Sequence, residues 1–224
     1  MLEPKVCVLI PAYNEAAHIG QVVTGSLRFL PVMVVDDGSS DGTAEAAERS
    51  GAQVIRQVPN QGKGAALRAG FTHCIQQGYD AVITLDADGQ HDPAEIPLFL
   101  QEFQTSHCGL IIGQRDFSSM PIIRRCANTL GKQIISQALG QPIPDNQSGY
   151  RLLSAQLAGL LLNSKESGFE FEVEMLALSL KHGLGLSWVP IRTIYADEKS
   201  HIRPLHHLLH YFRIVNHARR ILLS

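Results

Sequence analysis

What the chain lacks narrows its function first. Its four cysteines, Cys7, Cys74, Cys108 and Cys126, are far apart and include no C-x-x-C pair. Neither a zinc site nor a disulfide framework is indicated, and all four are expected as small core residues in a reducing cytoplasm. No stretch approaches the roughly 18 apolar residues that a membrane span requires, and Met1 to Lys5 shows no signal-peptide pattern. The protein is therefore expected in the cytoplasm, soluble or lying on a membrane face without crossing it. An excess of one charge is also missing: 19 Lys+Arg against 21 Asp+Glu give a net charge of -2, not the basic footprint of a nucleic-acid binder. No G-x-G-x-x-G follows the first apolar run, and Asn60-Gln61-Gly62-Lys63-Gly64 fails the spacing G-x-x-x-x-G-K-[ST]. Dehydrogenase and P-loop kinase readings lose their support with those fingerprints.

What is present is a chain of 224 residues, 45% apolar, with no repeat and no Gly-, Ser- or Pro-rich linker, which argues for one domain with a sizeable core. Short β-rich runs alternate with helical patterns. Strands are expected at Val6 to Ile10, Val32 to Val35, Gln53 to Gln57 and Ala81 to Leu85, separated by helices near Ala16 to Phe29, Thr43 to Ser50 and Gly64 to Gln77. That spacing predicts βαβ units and an α/β fold on a mainly parallel sheet flanked by helices. Further on, strands are expected at Gly109 to Gly113 and Leu186 to Ile191, with helices near Met120 to Leu139 and Phe171 to His182. Polar clusters end the first, second and fourth strands: Pro11 to Glu15, Asp36 to Thr43 and Asp86 to His91. Ligands of open α/β sheets bind beyond the carboxyl ends of the strands, so the three clusters are expected to meet in one crevice.

In Asp86-Ala87-Asp88-Gly89-Gln90-His91 two carboxylates stand at i and i+2 just past a buried strand. Such a pair suits a hard divalent cation that keeps waters and takes further ligands from a diphosphate; the alternative is an Asx turn with solvated carboxylates. Asp36-Asp37-Gly38-Ser39-Ser40-Asp41-Gly42-Thr43 holds turn and capping residues for the next helix, with Asp37 left to accept hydrogen bonds from a base or ribose. Lys63 opens a helix where exposed N–H groups suit phosphate.

These clusters, with Gln147-Ser148-Gly149-Tyr150-Arg151, resemble the family 2 glycosyltransferases of the GT-A fold, and more closely the branch with dolichol-phosphate mannose synthases and polyprenyl-phosphate glucosyltransferases. Five motifs in order cover about residues 5 to 200, and residues 1–200 are the expected catalytic domain. The resemblance implies that Pro11, Tyr13, Glu15, Val35, Asp37, Asp86 and Ala87 line a nucleoside pocket with Lys63 nearby. It implies Mg²⁺ or Mn²⁺ held by Asp88 and Gln90, with Asp86 beside them, against the diphosphate of a nucleotide sugar, where the cation offsets charge on the leaving group. Arg115 matches the family's arginine after the next strand; Arg192 and Lys199 resemble a basic pair closing over the diphosphate. Arg124, Arg125 and Arg151 are the candidates for meeting an acceptor phosphate. Asp145 stands where members acting on hydroxyl acceptors have their general base; a phosphate acceptor is already ionised and needs none, and a plain turn-forming role after Pro144 is the other reading.

The implied activity is inverting, metal-dependent transfer of a hexose from a nucleotide diphosphate sugar, of the GDP-mannose or UDP-glucose type, to a polyprenyl phosphate. Transfer to a glycan or lipid hydroxyl with Asp145 as base is the alternative, and a sugar-nucleotide-binding subunit without turnover is another. Residues 201–224 carry Leu205, Leu208, Leu209, Phe212 and Val215 at helical spacing among Arg203, Arg213, Arg219 and Arg220. This amphipathic, basic helix is expected to lie on an anionic membrane surface, on the sheet or on a partner chain.

Overall fold

The computed structural model describes residues 3–116, 122–192, 194 and 215–222, with the side chains of 122–128, 130 and 169 outside that description. The elements in chain order are β1 (Val6–Ala12), α1 (Ile19–Ser26), β2 (Val32–Asp36), α2 (Thr43–Arg49), β3 (Gln53–Arg56), α3 (Lys63–Gln76) and β4 (Ala81–Thr84). After a 3-10 turn at Pro93–Glu95 come α4 (Ile96–Ser106), β5 (Leu110–Arg115), α5 (Ile122–Leu139), β6 (Arg151–Ser154), α6 (Ala155–Leu161), α7 (Phe169–Lys181) and β7 (Leu186–Ile191). A last helix, α8, spans 215–222.

The strands form one sheet in the order β3-β2-β1-β4-β6-β5-β7. The first four pair in parallel, as do β5 and β7, and β6 enters antiparallel between β4 and β5. The sheet is therefore mixed, and β6 is the strand that the sequence pattern does not announce. It is four residues long and runs straight into α6, whose first turn is capped by the Ser154 hydroxyl accepting from Leu157 N.

Both faces of the sheet are covered, which is why β1 and β2 are buried along their whole length. Along β1, Cys7 and Leu9 face one core layer with α3, α6 and α7, while Val6, Val8 and Ile10 face the other with α1 and α4. This is the two-residue alternation of a strand read on two buried faces. Cys7 and Cys74 are buried thiols and Cys108 is half-buried. Val215 and Ala218 of α8 are buried in the first layer, and Ile221 and Leu222 pack against it. The end of the tail thus lies on the sheet's own core; its other apolar positions, Leu205 to Phe212, lie outside the described residues. Among the described residues no helix is long and apolar enough to cross a membrane.

Candidate active site

Loops at the carboxyl ends of β1 and β2 are stitched together by their own polar residues. Asn14 N donates to Ser39 Oγ (2.9 Å), Ser40 N to Asn14 Oδ1 (3.0 Å) and Glu15 N to Thr43 Oγ1 (2.8 Å). Asp41 takes Ala16 N on one oxygen (3.0 Å) and both the Thr43 hydroxyl (2.5 Å) and Thr43 N (3.0 Å) on the other, and these bonds, the Thr43 hydroxyl's first, hold its carboxyl below the usual range. Much of the Asp-Gly-Ser-Ser-Asp-Gly-Thr motif is therefore scaffold. Asp37 goes further: buried, it accepts Gln61 N on Oδ1 (2.9 Å) and Gly62 N on Oδ2 (2.7 Å). It anchors the loop that delivers Lys63 to the first position of α3.

Lys63 stands between two carboxylates. Its Nζ is 2.6 Å from Asp86 Oδ1 and 3.1 Å from Glu172 Oε1 in the first turn of α7. The other Asp86 oxygen faces His91 Nε2 at 3.2 Å. Burial alone raises a carboxyl, but the Lys63 charge and His91 outweigh it and hold Asp86 far below its usual range. Burial likewise disfavours the ammonium, and the Asp86 and Glu172 charges overturn that and push Lys63 up.

The Gln147 to Arg151 motif supports this cluster from beneath. Gly149 lies so close to the Asp86 carboxylate that a Cβ there would overlap it. Thr84 Oγ1 fixes the Gly149 carbonyl at 2.8 Å. Tyr150 stacks on Phe99 at 4.3 Å between ring centroids and meets the His91 ring at 5.3 Å. Arg151 is 1% exposed. Its guanidinium donates to the carbonyls of Ser148 (2.8 Å), Glu172 (2.7 Å) and Asn146 (3.0 Å). The expectation that Arg151 meets an acceptor does not fit that burial, because its donors are spent on backbone carbonyls inside the fold.

These parts wall a cavity of about 580 Å³ lined by Pro11, Ala12, Tyr13, Glu15, Asp37, Asn60, Gly62, Lys63, Ala66, Asp86, Ala87 and Asp88. Of the residues expected around a nucleoside, Val35 is the exception: it is fully buried in the core layer against α3 and does not reach the cavity. Tyr13 is half exposed at the rim, an apolar ring beside a polar floor. Asp88 Oδ1 accepts Gln90 N at 2.9 Å, an Asx turn. Among the described residues no three His, Cys, Asp or Glu side chains form a ready cage for a metal. Asp86 and Asp88 instead line the cavity as hard oxygen donors, with Gln90 next on the same turn, a partial set that fits Mg²⁺ or Mn²⁺ arriving with phosphate oxygens and water.

Arg115, at the end of β5, is held by Asp145. Nε and Nη2 donate to Oδ2 (2.7 Å) and Oδ1 (3.0 Å), and Gln147 N also donates to Oδ1 (2.9 Å). Asp145 is 2% exposed, so this bidentate fork aims Arg115 and leaves no open carboxylate face for a hydroxyl. Arg192 does not join the cavity. Its backbone N donates to Glu95 Oε1 at 2.8 Å, and it lines a separate cleft with Asp92, Glu95, Leu98 and Pro190. Lys199 and the side chains of Arg124 and Arg125 lie outside the described residues. Glu172 was not singled out from sequence. Its signal was the run Phe169-Glu170-Phe171-Glu172-Val173-Glu174, acids alternating with apolar residues where a surface helix would show a 3.6-residue period.

Comparison with known proteins agrees with this geometry. The family profile described as glycosyl transferase family 2 matches residues 7–159. An undecaprenyl-phosphate mannosyltransferase of Micrococcus luteus is 33% identical over 84% of this chain and 82% of its own. A UDP-N-acetylglucosamine–dolichyl-phosphate N-acetylglucosaminyltransferase of Methanococcus voltae is 30% identical over 88% of each chain. Among solved structures, glucosyl-3-phosphoglycerate synthase of Mycobacterium tuberculosis with Mn²⁺, UDP-glucose and phosphoglyceric acid superposes with a TM-score of 0.74, covering 98% of this chain and 80% of that one at 21% identity. With this match, the α/β sheet and the carboxylate-lined crevice at its strand ends, the chain belongs to glycosyl transferase family 2 and is a glycosyltransferase of the GT-A fold.

Proposed function

We propose that the protein moves a hexose from a nucleoside diphosphate sugar to a polyprenyl phosphate at a membrane face. The relatives named for undecaprenyl-phosphate and dolichyl-phosphate transfer support the acceptor class, and a structure of the same fold holding Mn²⁺ with UDP-glucose supports the donor class. The observation that carries the choice of acceptor is Asp145. A hydroxyl acceptor needs an accessible base within hydrogen-bond reach, whereas this carboxylate is buried and occupied on both oxygens by Arg115. A phosphate oxygen is already an anion. It attacks the anomeric carbon, the new carbon–oxygen bond forms as the bond to the β-phosphate breaks, and the nucleoside diphosphate leaves with the electron pair, inverting the centre.

In this reading Tyr13, Pro11, Asp37 and Ala87 wall the nucleoside, and Asp86 with Lys63 forms the charged floor. Asp88 and Gln90 would hold the divalent cation, which supplies charge neutralisation to the departing diphosphate. Arg115, aimed by Asp145, would supply positive charge to the phosphate groups. Proximity and charge then account for the acceleration.

The test is turnover of GDP-mannose, UDP-glucose and UDP-N-acetylglucosamine with polyprenyl phosphate or unphosphorylated polyprenol in liposomes, with Mn²⁺ or with chelator. A lipid-linked sugar formed from one donor, on the phosphate only and only with metal, is the expected result. Product on the polyprenol would overturn the phosphate acceptor.

A further inference from the structure

We propose that Glu172 is a positioning residue of the donor site: it shares the Lys63 ammonium with Asp86 and retains it when Asp86 engages the cation-bearing diphosphate sugar. This rests on the donor reading above, and it assigns a role to a side chain 109 residues away from its lysine.

The placement of Glu172 is built rather than incidental. Arg151, itself fully buried, donates to the Glu172 carbonyl at 2.7 Å and to Met175 Sδ at 3.5 Å, fixing the first turn of α7. The stretch before α7 is tied to the start of α3: Gly64 N donates to Ser167 O (3.0 Å) and Arg68 Nη1 to Glu166 O (2.6 Å). The two backbones approach so closely that a Cβ at Gly64 would stand 2.5 Å from Glu166 O. Glu172 is 9% exposed, and its carboxylate turns from this brace onto Lys63 at 3.1 Å. A buried carboxylate directed at a lysine of the donor cavity sets the charge that an incoming ligand meets.

Glu172 adds one negative charge to this cluster, in which Asp86 is the other carboxylate and Lys63 and the buried Arg151 are the cations. That charge works against a bare diphosphate and in favour of a divalent cation. Were Glu172 neutral, Lys63 would be paired with Asp86 alone, the cluster would lose one unit of negative charge, and Asp86 would be harder to recruit. Both changes push the same way: metal-free nucleotide binds better, and the gain from metal shrinks. One unit charge at this range in a half-wet site corresponds to about three- to tenfold in affinity.

The experiment is calorimetric titration of UDP and GDP into the protein, first with EDTA and then with Mn²⁺. For the nucleotide that binds wild type, Glu172→Gln is expected to tighten binding in EDTA by about three- to tenfold and to reduce the Mn²⁺-dependent gain by a similar factor. Glu172→Asp, which keeps the charge, is expected to stay near the wild-type ratio. A merely structural role would weaken both titrations alike. Equal changes with and without Mn²⁺, or none, overturn the proposal while leaving the donor site standing. If wild type binds neither nucleotide, it is the donor reading that fails. Should Glu172→Gln not fold, Lys63→Gln takes one unit of positive charge out of the cluster and must move the ratio the opposite way; a ratio unchanged or moved in the same sense overturns the assignment.

Discussion

Gly149 shows how a single absent atom shapes the donor site. Its Hα side faces the Asp86 carboxylate, and a Cβ there would overlap both carboxylate oxygens. Neither partner is free to yield, because Asp86 is held by Lys63 and His91 and the Gly149 carbonyl by Thr84. Gly149→Ala is expected to displace Asp86, lowering kcat/KM at least tenfold, with a stability loss of about 1–3 kcal/mol from overpacking. Turnover and thermal melting measured together check this; unchanged turnover would mean that Asp86 does not need its observed place. Arg151 teaches the complementary lesson. In sequence a motif arginine suggests an anion, and here burial assigns it to three carbonyls. Burial is a property of the assembled fold, which residue type and spacing do not carry.

At the scale of elements, the strands and helices of the first half were legible because each one is a run of a single period with its own punctuation. The sequence reading of Leu186 to Ile191 as a strand coincides with β7. The sequence pattern does not announce α4, although Ile96, Phe99, Leu100 and Phe103 keep helical spacing behind an Asp92 side chain that accepts from Ala94 N. The signal was there, masked by two prolines that sit harmlessly in the opening turns. β6 was not legible, since an antiparallel strand of four residues is specified by the partners it finds in β4 and β5. The amphipathic tail left three partners open, and α8 answers for its own residues by burying Val215 and Ala218 in the core layer. Removing residues 215–224 is therefore expected to cost about 3 kcal/mol of buried apolar surface, or roughly 6–12 °C in Tm for a chain of this size. A melting temperature within about 2 °C of wild type would show that the helix adds little to the core.

At the scale of the whole molecule, sequence motifs named most of the cavity wall because topology forces strand ends together at one edge. It did not name the charge balance of that wall, which arises where α3 and α7 meet after more than a hundred intervening residues. That balance has a pH signature in the metal-free protein. Asp86 is held below its ordinary value of 3.8, so its contribution to stability is complete above that value and is lost as the pH falls further. Lys63 is held above its ordinary value of 10.5, so its contribution is complete below that value and is lost as the pH rises through its folded-state value. In EDTA, the difference in Tm between wild type and Lys63→Gln is expected to be flat from about pH 5 to 9 and to narrow below about pH 4 and above about pH 10.5. Narrowing at both ends ties the stabilisation to an ion pair whose two members titrate separately. A difference that stays constant across the whole range would assign the effect of Lys63 to packing of its methylene chain against the α3–α7 brace, and the charge balance at the donor site would then have no share in holding the fold.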